Sequence, residues 1–169
     1  MYVYKKEMSG RVEIILGCMF SGKSTELMRR ISSYNAVGIP TLIMNSMLDT
    51  RSNDNMMKTH SEQTHNAMKV ERLMAITDDP NFFKLQVIGI DEAQFFPDLI
   101  EFVLFAEKFN KIIIIAVLDG DSNRKPFGQI LECIPLCDNV VKLTAMDMLS
   151  KDATPAIFSR RIVDEVDQI

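Results

Sequence analysis

The sequence has no tryptophan, three cysteines and two histidines among its 169 residues, and no apolar run longer than residues 112–118. A membrane helix needs about 20 apolar residues, so a spanning segment is excluded on length. The first residues, Met1-Tyr-Val-Tyr-Lys-Lys-Glu, carry charge where a secretory signal would have its apolar stretch. Together these absences predict a soluble, cytoplasmic protein. Cys18, Cys133 and Cys137 are odd in number and form no C-x-x-C pair, which argues against a disulfide framework and against a zinc ribbon. Cys133 and Cys137 would share a face if they lay on one helix. With His60 and His65 far away in sequence, however, the cysteines read as small buried hydrophobes rather than metal ligands. Excess positive charge is also missing: 19 basic against 23 acidic residues leave a net charge of −4. A broad surface for duplex nucleic acid or anionic membrane is therefore not expected, and any phosphate must be held locally.

What is present is an ordinary globular composition, 47% hydrophobic and 25% charged, in a chain of about one domain's length. The run Arg11-Val-Glu-Ile-Ile-Leu16 predicts a strand that stops at Gly17. Residues 24–34 then place Leu27, Met28 and Ile31 at helical spacing. A strand over 41–44 follows, and residues 45–66 are so polar that they predict a long functional loop or lid. Residues 68–76 give a weak strand-and-helix signal. Residues 85–90 are apolar on both faces, as a buried parallel strand should be, and end in Asp91-Glu92. Pro97 predicts the first turn of a helix bearing Leu99, Phe102, Val103 and Ala106. Residues 112–118 are the clearest strand, followed by a polar loop to Phe127, a short helix to about Glu132 and a last strand over 140–143. Strands alternating with helices predict an α/β protein, with a mostly parallel central sheet covered by helices on both faces. Residues 1–10 read as an N-terminal extension, 11–145 as the nucleotide-binding domain and 146–169 as a C-terminal tail.

Between the first strand and its helix, Gly17-Cys-Met-Phe-Ser-Gly22-Lys23-Ser24 fits G-x-x-x-x-G-K-[ST] without a mismatch. Glycines let backbone amides wrap a polyphosphate, the helix start directs its positive end at the same charge, and Lys23 reaches the outer phosphates. Ser24 is placed to hold Mg²⁺ through its hydroxyl. Asp91, leaving a buried strand, is the matching magnesium carboxylate. Glu92 beside it should point to another side and face an acceptor. An Asp-Glu pair on its own reads as a solvated turn more often than as a site; the phosphate loop is what reverses that reading and gives it a role. Arg51, in the polar segment after Asp49, is the candidate for stabilising charge on a transferring phosphoryl group. Its alternative is an exposed loop arginine.

The stretch from Arg11 to Arg30, and Val87-Ile-Gly-Ile-Asp-Glu-Ala-Gln-Phe-Phe-Pro97, resemble type II thymidine kinases, the cellular and poxviral kind. So do Asp119-Gly120 with Arg124-Lys-Pro-Phe127, and Val140-Val-Lys-Leu-Thr-Ala145. The resemblance implies transfer of the ATP γ-phosphate to the 5′-hydroxyl of thymidine or another deoxynucleoside, in support of DNA synthesis, with Mg²⁺ on Ser24 and Asp91. It makes Glu92 the general base. Gly17, Cys18, Met19, Phe20, Ser21, Gly22, Lys23, Ser24, Asp49, Asp91 and Gln94 would form the nucleotide site, with Arg51 on the phosphates. Met19, Phe95, Leu118, Ser122 and Phe127 would line the substrate pocket. A homotetramer is implied as well.

Three positions depart from the family's pattern. Ser122 stands where an aromatic ring stacks on the base, a contact of about 1–3 kcal/mol. Asp147 and Ser150 stand where the first zinc pair belongs, so no zinc is expected. The family's base-binding lasso would begin where residue 169 ends the sequence. The competing reading is a degenerate relative that binds nucleotide and acts as a regulatory or assembly partner.

Overall fold

A computed structural model describes residues 10–49, 67–147, 149–150 and 152–161, and the backbone alone of 56–58 and 64–66. Thirteen elements in chain order make the frame: β1 (Arg11–Gly17), α1 (Lys23–Asn35), β2 (Thr41–Ser46), β3 (Met56–Lys58), β4 (Thr64–Asn66), β5 (Met68–Val70), β6 (Val87–Ile90), α2 (Leu99–Lys108), β7 (Ile112–Val117), α3 (Ile130–Cys133), β8 (Asn139–Leu143), β9 (Ala145–Met146) and β10 (Pro155–Ala156). Six strands form one sheet in the order β5-β2-β6-β7-β1-β8, and every pairing in it is parallel. All six C-terminal ends therefore open on one edge. A sheet with β1 at an order reversal binds its ligand at that edge, where successive connections leave toward opposite faces.

The two faces follow from strand alternation. Val12, Ile14 and Leu16 of β1, with Ile113, Ile115 and Val117 of β7, pack under α2 through Leu99, Phe102, Val103 and Ala106. Ile15, Ile114 and Ala116 point the other way, against Leu27, Met28 and Ile31 of α1. Glu13 sits on this second face, in an otherwise apolar strand, and is tolerated because Arg30 of α1 pairs with it at 2.6 Å while also reaching Glu26 at 2.7 Å. Arg29 and Arg30 hold the Glu26 carboxyl down at about 2.

The structure adjusts several expectations. The long loop over 45–66 is not wholly a loop: β2 continues to Ser46, and β3 and β4 pair as an antiparallel ribbon. Strand pairing is made by backbone groups, and three-residue strands are too short for a reading based on apolar periodicity to find them. Pro97 is not in the first turn of α2. The helix starts at Leu99 with Asp98 at its N-cap, whose carbonyl accepts the Phe102 amide at 2.9 Å while its carboxylate makes no cap bond and accepts the amides of Leu73 and Met74 at 3.2 and 3.0 Å. The weak signal over 68–76 resolves into β5 and a 3₁₀ turn, Leu73–Asp78. Leu118 lies just outside β7, its amide given to a side chain rather than to the next strand. Cys133 ends α3 fully buried, and burial pushes its thiol up to about 11. No helix among the described residues is long and apolar enough to cross a membrane.

Candidate functional site

The phosphate-loop residues connect the end of β1 to the start of α1, at the C-terminal edge of the sheet. Gly17 has no room for a side chain: a Cβ there would lie 2.5 Å from Ser21 Oγ and 2.6 Å from the Leu143 carbonyl of β8. The loop is closed on itself by the Cys18 carbonyl, which accepts Ser21 Oγ at 2.8 Å and Lys23 Nζ at 2.7 Å. Lys23 is buried, so its ammonium is carried inside the curve of the loop rather than into bulk water. Gly22 precedes α1 without a side-chain cap, which leaves the first-turn amides directed at the loop.

β6 brings the carboxylates to this loop. Ser24 Oγ lies 3.0 Å from both Asp91 oxygens, and the Asp91 amide donates to the Met44 carbonyl of β2 at 2.9 Å. Hydroxyl and carboxylate oxygens are the donor chemistry of a hard cation, and a magnesium site built from one or two protein oxygens plus phosphates and waters fits this pair. Glu92 turns elsewhere, as adjacent residues leaving a strand should. Its backbone is left-handed at φ 51° and ψ 42°, a costly conformation for a residue with a side chain. Two contacts hold it there: the Phe95 amide on its carbonyl at 3.2 Å, and Gln94 Nε2 on its Oε2 at 2.5 Å.

Gln94 is fully engaged with the protein. Besides Glu92 it accepts the Leu118 amide on Oε1 at 3.2 Å, and its backbone lies so close to Gly128 that a Cβ there would come within 2.5 Å of the Gln94 carbonyl. This one buried amide thus ties together the ends of β6 and β7 and the chain after Phe127. Phe95 and Phe127 meet edge to face with ring centroids 5.6 Å apart, giving an apolar wall beside Glu92.

The other expected residues are placed as follows. Asp49 is buried after β2, accepts Asn45 Nδ2 at 2.9 Å and has its carbonyl held by Lys69 Nζ at 3.0 Å. Ser122 occupies the turn that Asp121 closes by accepting the amides of Asn123 and Lys125, both at 2.8 Å. Phe20 is largely exposed in the loop, with φ 63°. Arg51 lies outside the described residues. Asp147 and Ser150, at the positions of the resembled zinc pair, belong to the connection of the β9–β10 ribbon. There Asp147 accepts the Leu149 amide at 2.9 Å, and Asp152 accepts Thr154. Hydrogen bonds from Thr154 and Ser150 hold the Asp152 carboxyl down at about 2. No group of three potential metal ligands occurs among the described residues.

Sequence reading missed two kinds of partner. Lys142 of β8 pairs with Asp119 at 2.5 Å. Residues 156–159 reach the phosphate loop, where Ser159 Oγ accepts the Met19 amide at 2.8 Å. Neither has a local signal, since periodicity says nothing about contacts between residues 23 and 140 positions apart.

A family model described as thymidine kinase matches residues 10–169. The thymidine kinase of Raccoon poxvirus is 42% identical over 158 residues, covering 94% of this chain and 86% of its own length. Thymidine kinase 1 of Dictyostelium discoideum is 38% identical over 165 residues, covering 95% and 71% respectively. The cytosolic thymidine kinase of Homo sapiens is 43% identical over 139 residues, or 82% of this chain and 58% of the human protein.

Proposed function

The chain belongs to the thymidine kinase family, and from that premise we propose that it transfers the ATP γ-phosphate to the 5′-hydroxyl of thymidine, with Glu92 as general base. The observation that carries this reading is the Ser24–Asp91 contact, which brings the phosphate loop to the end of β6 and places Glu92 next in the chain. Lys23 and the loop amides hold the phosphates. Ser24 and Asp91 would hold Mg²⁺, which when bound neutralises phosphate charge. The Glu92 carboxylate takes the 5′-hydroxyl proton as that oxygen bonds to the γ-phosphorus, and the bond from phosphorus to the β–γ bridging oxygen breaks, releasing ADP. Gln94 keeps one Glu92 oxygen oriented during this step. Phe95 and Phe127 supply an apolar wall for a planar base, and the resemblance assigns Met19 and Leu118 to the same pocket. The family resemblance gives Asp49 and Arg51 roles toward the nucleotide phosphates. The cytoplasm is the expected location, and residues 11–145 form the catalytic unit.

The test is ATP consumption by the purified protein with each deoxynucleoside in turn. Thymidine should give the fastest turnover. Binding of ATP without consumption in the presence of any of the four would favour a degenerate nucleotide-binding relative instead.

The ribbon connection is closed by Asp147 and Asp152 through hydrogen bonds, so we further propose that this chain folds and works without zinc. Where structural zinc is bound it supplies folding energy directly. Treatment of the purified protein with a zinc-selective chelator, with Mg²⁺ kept in excess, should therefore leave its melting temperature and its ATP affinity unchanged. About one zinc per chain by elemental analysis, with a lower melting temperature after chelation, would contradict this.

A further inference from the structure

β9 and β10 form a two-stranded antiparallel ribbon with Pro155 opposite Met146 and Ala156 opposite Ala145, and the chain leaving β10 runs back over the phosphate loop. Three contacts pin it there. The Cys18 thiol donates to the Ala156 carbonyl at 3.3 Å. The Met19 amide donates to Ser159 Oγ at 2.8 Å. The Arg124 guanidinium lies 3.9 Å from the centroid of the Phe158 ring. Arg124 belongs to the turn that precedes Phe127, so residues 156–159 touch both the loop that holds phosphate and the segment that walls the base.

A phosphate loop binds by presenting several backbone amides in one fixed curve, and each amide must be aimed before the ligand arrives if binding is not to be spent on ordering. The Met19 amide is a fixed support of that curve rather than a donor to phosphate, because its proton goes to Ser159. That bond fixes the peptide between Cys18 and Met19, and the Cys18 carbonyl on the same peptide is the acceptor for both Lys23 and Ser21.

We propose that Ser159 is a positioning residue for phosphoryl transfer: its hydroxyl locks the Cys18–Met19 peptide, and residues 156–159 act as a strap that couples the phosphate loop to the base-side turn at Arg124. The proposal rests on the phosphate-loop reading above and extends it to a residue 140 positions away in sequence. The strap sets the order of the loop and leaves the chemistry of Glu92 untouched, so its loss should appear in ATP binding before it appears in turnover.

The test compares Ser159→Ala, Ser159→Thr and Ser159→Val with wild type and Lys23→Ala, using steady-state kinetics and calorimetric titration with MgATP. Thr and Val have the same shape, and only Thr keeps the hydroxyl. Loss of one neutral hydrogen bond corresponds to about a 3- to 10-fold effect. Ser159→Ala and Ser159→Val should raise the ATP KM and Kd by that factor with a smaller change in kcat, and Ser159→Thr should restore both to near wild type. Melting temperatures identify any variant that is merely unfolded, and the Thr and Val pair then carries the comparison. Equal ATP affinity in the Val and Thr variants, with ATP binding lost in Lys23→Ala, would overturn the strap while leaving the phosphate loop standing. Normal ATP binding by Lys23→Ala would overturn both.

Discussion

Glu92→Gln should slow phosphoryl transfer by ~10²–10⁴-fold while leaving ATP and thymidine binding close to wild type. The substitution keeps the side-chain volume and removes the proton acceptor. The left-handed backbone at φ 51° should survive the change, because the Phe95 amide still bonds to the carbonyl of residue 92 and the new side-chain amide oxygen can still accept Gln94 Nε2. The Gln94 amide can still bond to the remaining carbonyl oxygen, so the pocket wall of Phe95 and Phe127 should hold its place. Rapid-quench measurement of thymidine monophosphate formation separates the chemical step from product release. A Glu92→Gln variant that turns over within about threefold of wild type would remove Glu92 from the reaction.

Lys111→Met should cost about 3 kcal/mol of stability without affecting the site. Lys111 immediately precedes β7 at the edge of the sheet opposite the phosphate loop, and it is 4% exposed. Its ammonium donates to the carbonyls of Phe82, Phe83 and Leu85 at 3.1, 3.0 and 2.5 Å, and lies 4.9 Å from the centroid of the Phe82 ring. All three ammonium donors are therefore used. Burial pulls the lysine below its ordinary range, and the carbonyls are what keep a charge tolerable there. Methionine would preserve the apolar stem and strand three acceptors without donors, each worth about 1–3 kcal/mol if it stays dry, with partial recovery through water. For a chain of this size about 3 kcal/mol lowers the melting temperature by about 6–12 °C. Unchanged melting, read by calorimetry on the purified variant, would show that water replaces the ammonium fully.

These two residues also mark the limits of what sequence can reveal. Glu92 was legible because it follows an apolar run and stands beside Asp91, with a phosphate-loop motif elsewhere in the chain to give the pair a meaning. The strands of 112–117 and 87–90 were legible because a parallel strand buried on both faces is written as uninterrupted aliphatic residues. Lys111 was not: nothing local distinguishes a lysine that plugs three carbonyls from one on the surface. Gln94 was assigned to the nucleotide site from its place in the Asp-Glu-x-Gln sequence, and only the coordinates reveal that both ends of its amide serve Glu92 and Leu118. The ribbon of β3 and β4 was hidden because each strand is only three residues long, too short to show a period, and β4 is polar throughout. Asp98 stood next to a proline that read as helix, and its bonds to the amides of Leu73 and Met74, 25 and 24 residues away, have no local signal.

The central claim is a division of labour, in which the phosphate loop binds and Glu92 reacts. It is tested most directly by titrating MgATP into Lys23→Ala and Glu92→Gln side by side in a calorimeter. Lys23 is buried within the loop and on the proposed assignment supplies the positive charge for the phosphates, whereas Glu92 is held by Gln94. ATP affinity should fall by at least tenfold in Lys23→Ala and remain within about twofold of wild type in Glu92→Gln. Equal loss of affinity in the two variants would contradict the assignment of binding to one and chemistry to the other.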